Sequence, residues 1–192
     1  MRLFLALKPD RPAEAVLAQQ LLRIQDAAGA TAPLLRWMPA SNIHATLHFL
    51  GDVDAGRWRH LQEALGDSIA HDPFRVELGG VGVFPESRAP RVVWLDVITG
   101  TPEISAIHVE IGRRLTEAGF TIEIRPFSPH LTVARVPDRE RARVKTLRER
   151  LKSVAAMPIG WIVDRVTLFQ SDLSGSVPQY AAVHEIALAK PT

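Results

Sequence analysis

The stretch NIHATLHFLG, Asn42 to Gly51, sets His44, Thr46 and His48 on alternate positions of an otherwise apolar run. Strand side chains at i and i+2 share a face. The run therefore reads as a strand over Ile43–Leu50, with Ile43, Ala45, Leu47 and Phe49 turned to a core and the three polar residues opposite. A second stretch, SPHLTVARV from Ser128 to Val136, repeats the pattern, with Leu131 and Val133 on one face and His130 and Thr132 on the other. The two H-x-T triplets lie 86 positions apart (130 − 44), which points to two related halves.

Around these strands the chain alternates short apolar runs with helical periodicity. RLFLAL (Arg2–Leu7) reads as a buried strand, and PAEAVLAQQLLRIQDAAG as a helix closed by Gly29. DAGRWRHLQEALGDSIAH predicts a helix from an Asp54 N-cap to His71. FRVELGGVGVFP and PRVVWLDV read as strands, the first with glycines that mark a bulge or a close backbone approach. TPEISAIHVEIGRRLTEAGF predicts a helix with Thr101 as cap, Pro102 at its first position and Gly119 near its end. DRERARVKTLRERLKSV has the Glu/Arg spacing of an exposed helix. Two strands, near Ile159–Phe169 and Tyr180–Leu188, close the chain around the turn-rich QSDLSGSVPQ. With no long linker, residues 1–192 read as one domain of the α+β or α/β class.

Composition narrows the chemistry. At 192 residues and 46% hydrophobic content the chain supports one sizeable core. No run approaches the roughly 20 apolar residues of a membrane helix, and LFLAL ends at Lys8-Pro9, shorter than a signal-peptide core. A protein with no membrane partner and a cytoplasmic location is the expectation. Zero cysteines exclude disulfides, thiolate nucleophiles and Cys-ligated zinc. Histidine, hydroxyls, carboxylates and arginine remain. A pI near 9.4, at a formal charge of only +2, permits a nucleic-acid partner without demanding one.

A single H-x-T strand fits ordinary polar-out alternation, and two copies ask for more. If a pseudo-two-fold axis relates the halves, both polar faces meet across a groove, bringing two imidazoles and two hydroxyls to one site. One imidazole can remove a proton, the other supply one, and the hydroxyls can donate to phosphate oxygens. Metal binding is the competing use of clustered histidines. On a strand His44 and His48 stand about 13 Å apart at roughly 3.3 Å per residue, too far to share an ion held by bonds of about 2 Å. The helical zinc motif would also need a glutamate where Ala45 stands.

HATLHFLG and PHLTVAR together resemble the paired signature of the 2H phosphoesterases, closest to the bacterial and archaeal RNA 2′,3′-cyclic phosphodiesterases, historically called 2′–5′ RNA ligases. The resemblance runs through RLFLAL, WMPASNIHATLHFLG, GVGVFP with PRVVWLDV, GFTIEIRPFSPHLTVAR and SDLSGSVPQY, in the family's order. It implies an α+β, bilobal LigT-like fold: two pseudo-symmetric lobes with antiparallel-rich sheets facing a central cleft, helices outside. It also implies opening of a terminal RNA 2′,3′-cyclic phosphate to a 2′-phosphate with no metal or other cofactor, on RNA ends such as tRNA fragments. His130 would activate water, His44 would protonate the leaving 3′-oxygen, and Thr46 and Thr132 would hold the non-bridging oxygens. Arg135 matches the family's arginine after the second motif. An odd number of residues separates it from His130, so a phosphate contact requires a bulge or bend. His48 departs from the arginine or lysine common in the family, and reads either as an RNA-backbone contact or as a groove-edge histidine.

Phe84 and Phe127 are candidates to stack a terminal base, with core packing as the competing reading; Trp37 and Trp94 read as core. His60, His71, His108 and His184 lie outside the repeat and receive no role. The rival functions are action on 2′–5′ oligonucleotides or small cyclic nucleotides, a non-catalytic RNA-end-binding module, and a structural protein. A monomer is the expected state.

Overall fold

Side-chain chemistry at the helix ends explains where the first elements begin. In the computed structural model, which describes residues 1–190 except 67, 87, 124, 125 and 176, Asp10 and Asp54 each accept a backbone N–H three residues on. Strand β1 (Arg2–Leu7) is followed by α1 (Arg11–Ala28), which ends at Gly29 with φ of 54°. Next come β2 (Arg36–Trp37), β3 (Ala45–Asp52), α2 (Ala55–Ala64), β4 (Ile69–Ala70), β5 (Phe74–Phe84) and β6 (Val92–Thr99). The chain continues through α3 (Thr101–Glu117), β7 (His130–Arg135), α4 (Leu147–Leu151), β8 (Gly160–Val163), β9 (Arg165–Asp172) and β10 (Gln179–Ala189). Ile124 and Arg125 before the second motif, Ser176 in the turn-rich stretch and Asp67 in the stretch after α2 lie outside the described residues.

The strands pair in the order β4-β10-β9-β1-β3-β7-β6-β5-β8, with β2 also on β7, and all pairs but β4–β10 are antiparallel. Between β3 and β7 the pairing is a single residue pair, Ala45 with Leu131. The architecture is thus α+β, with two half-sheets meeting at one point, as the bilobal resemblance implies. Helix α3 packs on β3 and against α2, while α1 packs on α4 and α4 on β5. One hydrophobic core runs beneath both halves, from Leu3, Leu5 and Leu7 of β1 through Ile104, Ile107 and Ile111 of α3 to Leu131 of β7 and Trp161 of β8. Gln20, buried in α1, has its amide satisfied at both ends, by the carbonyl of Ala155 and the N–H of Met157.

Four expectations need correction. The helix predicted to His71 stops at Ala64, and Ile69–Ala70 instead lies parallel to the end of β10. At α3 the cap position is Gly100, with φ of 90°, and the Thr101 hydroxyl donates to the Val97 carbonyl. The charged stretch after β7 forms a 3-10 segment, Asp138–Arg143, and then only the short α4. Its i,i+3 pairs, Arg141 with Asp138 and Arg143 with Glu140, suit the tighter turn, and a helix held by surface pairs without a wide apolar stripe is not stable. Finally, the run near Ile159–Phe169 is two strands: β8 pairs with β5, and after Asp164 the chain crosses to the other half, where β9 pairs with β1 and β10.

Candidate active site

The site is built by where the alternation of β3 and β7 holds and where it breaks. Opposite residues in an antiparallel pair project to the same face. Ala6 faces Thr46 and Leu7 faces Ala45, but Leu5 faces His48, so Leu47 is an extra residue in β3. On β1, Phe4 and Ala6 turn to an aromatic cluster while Leu5 and Leu7 turn to the core. His44 and Thr46 therefore share the outer, cleft face, and beyond the bulge the faces exchange. His48 turns inward, only 4% exposed, and Phe49, 57% exposed, turns to the cleft beside Phe4. The expectation that His48 lies beside His44, whether as an RNA contact or a groove-edge histidine, is overturned by that bulge. Its Nε2 donates to the His108 carbonyl at 2.8 Å, and its ring stacks on His108 at 4.1 Å. His108, given no role by the sequence, donates from Nδ1 to the Leu47 carbonyl and stacks on Phe127, so Phe127 lies on the helix side.

The second motif repeats the device. Asp96, Leu95 and Trp94 face His130, Leu131 and Thr132, but Val93 faces Ala134 and Val92 faces Arg135, so Val133 is the extra residue. Ala134 is fully buried, and Arg135 comes round to the face that carries His130 and Thr132. The bulge that a phosphate contact by Arg135 requires is present. By motif position Arg135 corresponds to Phe49, and Ala134 to His48.

The single pair joining the half-sheets, Ala45 with Leu131, lies at the centre of this arrangement. Either side of it stand His44, just before β3, and Thr46 within it, with His130 and Thr132 on β7, all four half-buried. The two imidazoles are held alike. His44 Nδ1 lies 2.7 Å from the Asn42 carbonyl, and His130 Nδ1 lies 2.8 Å from the Ser128 carbonyl. A carbonyl only accepts, so each Nδ1 carries a proton and each Nε2 is the nitrogen left free. Asn42 is itself tied to the far loop, its amide donating to the Pro178 carbonyl at 2.7 Å.

Aromatic rings flank both histidines. Phe4 stacks on His44 at 4.7 Å, with Tyr180 edge-on at 5.4 Å. Phe84 and Trp94 stack on each other at 4.7 Å and meet His130 edge-on. Trp94, read as core from the sequence, faces the cleft, because it pairs with Thr132. Its ring lies on Gly82, where a Cβ would approach to 2.3 Å. Trp37 packs against the core as read. The imidazole of His44 is pushed down to about 4, mainly by burial; the Asn42 carbonyl opposes this, and Arg135 and Lys8 add to it. Lys8, which the sequence reading missed, closes β1 where β3 begins; only that pairing reveals it. Among the described residues no group of three His, Asp or Glu side chains is placed to hold a metal ion, and no helix is long and apolar enough to cross a membrane.

The family model of the 2′-5′ RNA ligase superfamily matches residues 9–175. The chain belongs to that superfamily. Among its relatives in this superfamily, the RNA 2′,3′-cyclic phosphodiesterase of Aeropyrum pernix is 35% identical over 88% of this chain and 96% of its own. That of Methanothermobacter thermautotrophicus is 33% identical over 94% and 95%. The fold is shared with E. coli LigT, whose structure complexed with 3′-AMP superposes with a TM-score of 0.73 over 98% of both chains at 23% identity.

Proposed function

We propose that this member of the 2′-5′ RNA ligase superfamily is an RNA 2′,3′-cyclic phosphodiesterase that opens the cyclic end to a 2′-phosphate by paired-histidine acid–base catalysis, without a metal. The observation that carries the reading is the matched anchoring of His44 and His130, each donating from Nδ1 to the carbonyl two residues before it, across a junction flanked by Thr46 and Thr132.

In the hydrolysis, water adds to phosphorus, the P–O3′ bond breaks, and a 2′-phosphomonoester and a free 3′-hydroxyl result. His130, through its free Nε2, takes the proton of the attacking water, and His44 gives one to the departing O3′. Thr46 and Thr132 donate to the non-bridging oxygens, and Arg135 stabilises the charge that grows on them. The position of His44 near 4 adds a condition. In the free protein at neutral pH this imidazole is uncharged, so it must gain its proton with substrate bound. An anionic phosphate between the threonines and Arg135 offsets the two cations that oppose protonation and favours the imidazolium. With a 5′-hydroxyl in place of water the same step joins a 2′–5′ linkage as P–O3′ breaks; run backwards, the 3′-hydroxyl attacks phosphorus, the 5′-oxygen leaves and the linkage is cleaved.

The test is turnover of an RNA ending in a 2′,3′-cyclic phosphate, in excess EDTA, by the protein and its His44→Ala and His130→Ala variants. Each substitution is expected to lower kcat by about 10²–10⁴-fold. Activity lost in EDTA and restored by zinc would overturn the metal-free mechanism. RNA bound without turnover would turn the reading to an RNA-end-binding module.

A further inference from the structure

Strand β2 consists of only Arg36 and Trp37, and it pairs with the end of β7, Arg36 opposite Arg135 and Trp37 opposite Ala134. Trp37 turns inward against the core, with its Nε1 donating to the Ala32 carbonyl at 2.9 Å. Arg36 therefore turns with Arg135 to the cleft face. Both are exposed, and among the described residues neither guanidinium has a hydrogen-bond or ion-pair partner. Two other strand arginines are paired: Arg75 holds Glu77, and Arg165 holds Asp164 and Glu185. Like charges directly opposite each other in a sheet are destabilising. Two unpaired arginines in that relation, beside the cleft, form a site for anions.

The two have different reach. Arg135 is close enough to His44 and Tyr180 to lower the protonation of both, so it serves the reacting phosphate. Arg36 lies on the next strand, about 4.8 Å further across. There the reacting phosphate already has two hydroxyls and one guanidinium. In an RNA the next anion available is the phosphodiester on the 5′ side of the terminal nucleotide, which a free nucleoside cyclic phosphate lacks.

We propose that Arg36 binds that penultimate phosphodiester, so that the site prefers the end of an RNA chain over a mononucleoside cyclic phosphate. The inference rests on the reading that the reacting phosphate lies between the threonines and Arg135. Arg36 is a substrate-binding residue with no part in proton transfer.

The experiment compares wild type, Arg36→Met and Arg36→Lys. It measures equilibrium binding of a short RNA ending in a 2′-phosphate and of a nucleoside 2′-phosphate across a salt series, and turnover of the matching cyclic forms. For Arg36→Met the RNA is expected to bind on the order of tenfold more weakly. The slope of log K against log salt should shrink by about 0.7, one phosphate contact on a single strand. Binding and turnover of the mononucleotide should stay at wild-type values, and Arg36→Lys should keep the salt slope. An exposed substitution of this kind leaves the fold intact.

Equal losses on RNA and mononucleotide would overturn the subsite, as would an Arg36→Met protein that binds RNA normally. Wild type that binds the RNA no more tightly than the mononucleotide overturns it as well. Wild type that binds RNA with the Arg36-dependent slope yet hydrolyses nothing would leave the subsite standing and overturn the catalytic reading instead.

Discussion

At His44 four influences compete, and their signs yield a measurable pH dependence. Burial, Arg135 and Lys8 all disfavour the imidazolium, and only the Asn42 carbonyl favours it. Because kcat/KM reports the free protein, its low-pH limb is expected at about 4, the position of His44, although the limbs formally belong to the coupled pair. Removing either cation relieves part of the depression. In Lys8→Met and in Arg135→Gln the limb should therefore move to higher pH, whatever happens to the height of the profile. The measurement is kcat/KM on a 2′,3′-cyclic phosphate between pH 3.5 and 9. A limb unmoved in both variants would show that His44 does not set it. His48, four residues on and inside β3, is lowered too, first by burial. It faces the helix side and belongs to the packing of β3 on α3, not to the reaction.

The two strands that carry the motifs show how far pattern reading reaches. Alternation places His44, Thr46, His130 and Thr132 correctly, because each motif is regular for its first three residues. It fails at His48, because the extra residue Leu47 exists only relative to the partner strand β1. A bulge is a property of a pair of strands, and nothing local in HATLHFLG marks it. The same device at Val133 was legible in one respect: Arg135 is out of phase with His130, so any contact with the reacting phosphate demanded it. The glycines of β5 were readable as well. The β5–β6 register shifts between Leu78 and Val81, across Gly79 and Gly80, and Gly82 lies under the Trp94 ring. Trp94 itself was misread as core, because its face is decided by pairing with β7. A Cβ at Gly82 would sit 2.3 Å from the indole, and the ring has little room to yield, stacked as it is on Phe84 at 4.7 Å. Gly82→Ala is expected to lose about 1–3 kcal/mol by overpacking and to lower turnover by displacing the rings beside His130. Urea unfolding together with steady-state kinetics checks both. Unchanged stability and activity would mean that Trp94 does not lie flat on Gly82.

At the scale of the molecule, two half-sheets joined by one residue pair are held together by the core beneath them, and histidines occupy both sides of that joint. His44 lies on the cleft face, while His48 and His108 stack between β3 and α3. All three are lowered below 6.5, each chiefly by burial. For a group whose pKa is lower in the folded chain, the unfolded chain binds more protons through the window between the two values. Stability therefore rises with pH across that window and is lost as pH falls. For His44 the window runs from 6.5 down to about 4, a loss of about 3 kcal/mol when complete. His48 and His108 act in the same direction. Carboxylates lowered by ion pairs and hydrogen bonds, Glu110 among them at about 2, extend the loss further into acid. Urea unfolding between pH 7.5 and 4.5 should thus show stability falling steadily below about 6.5. In His44→Gln the slope should shrink by up to 1.36 kcal/mol per pH unit, the contribution of one proton. His48→Leu should also flatten the slope, but at a cost to stability at neutral pH, because it removes the hydrogen bond from the His48 ring to the His108 carbonyl. A wild-type stability flat from pH 7.5 to 5 would contradict the burial of these imidazoles, and with it the bulge that turns His48 into the joint.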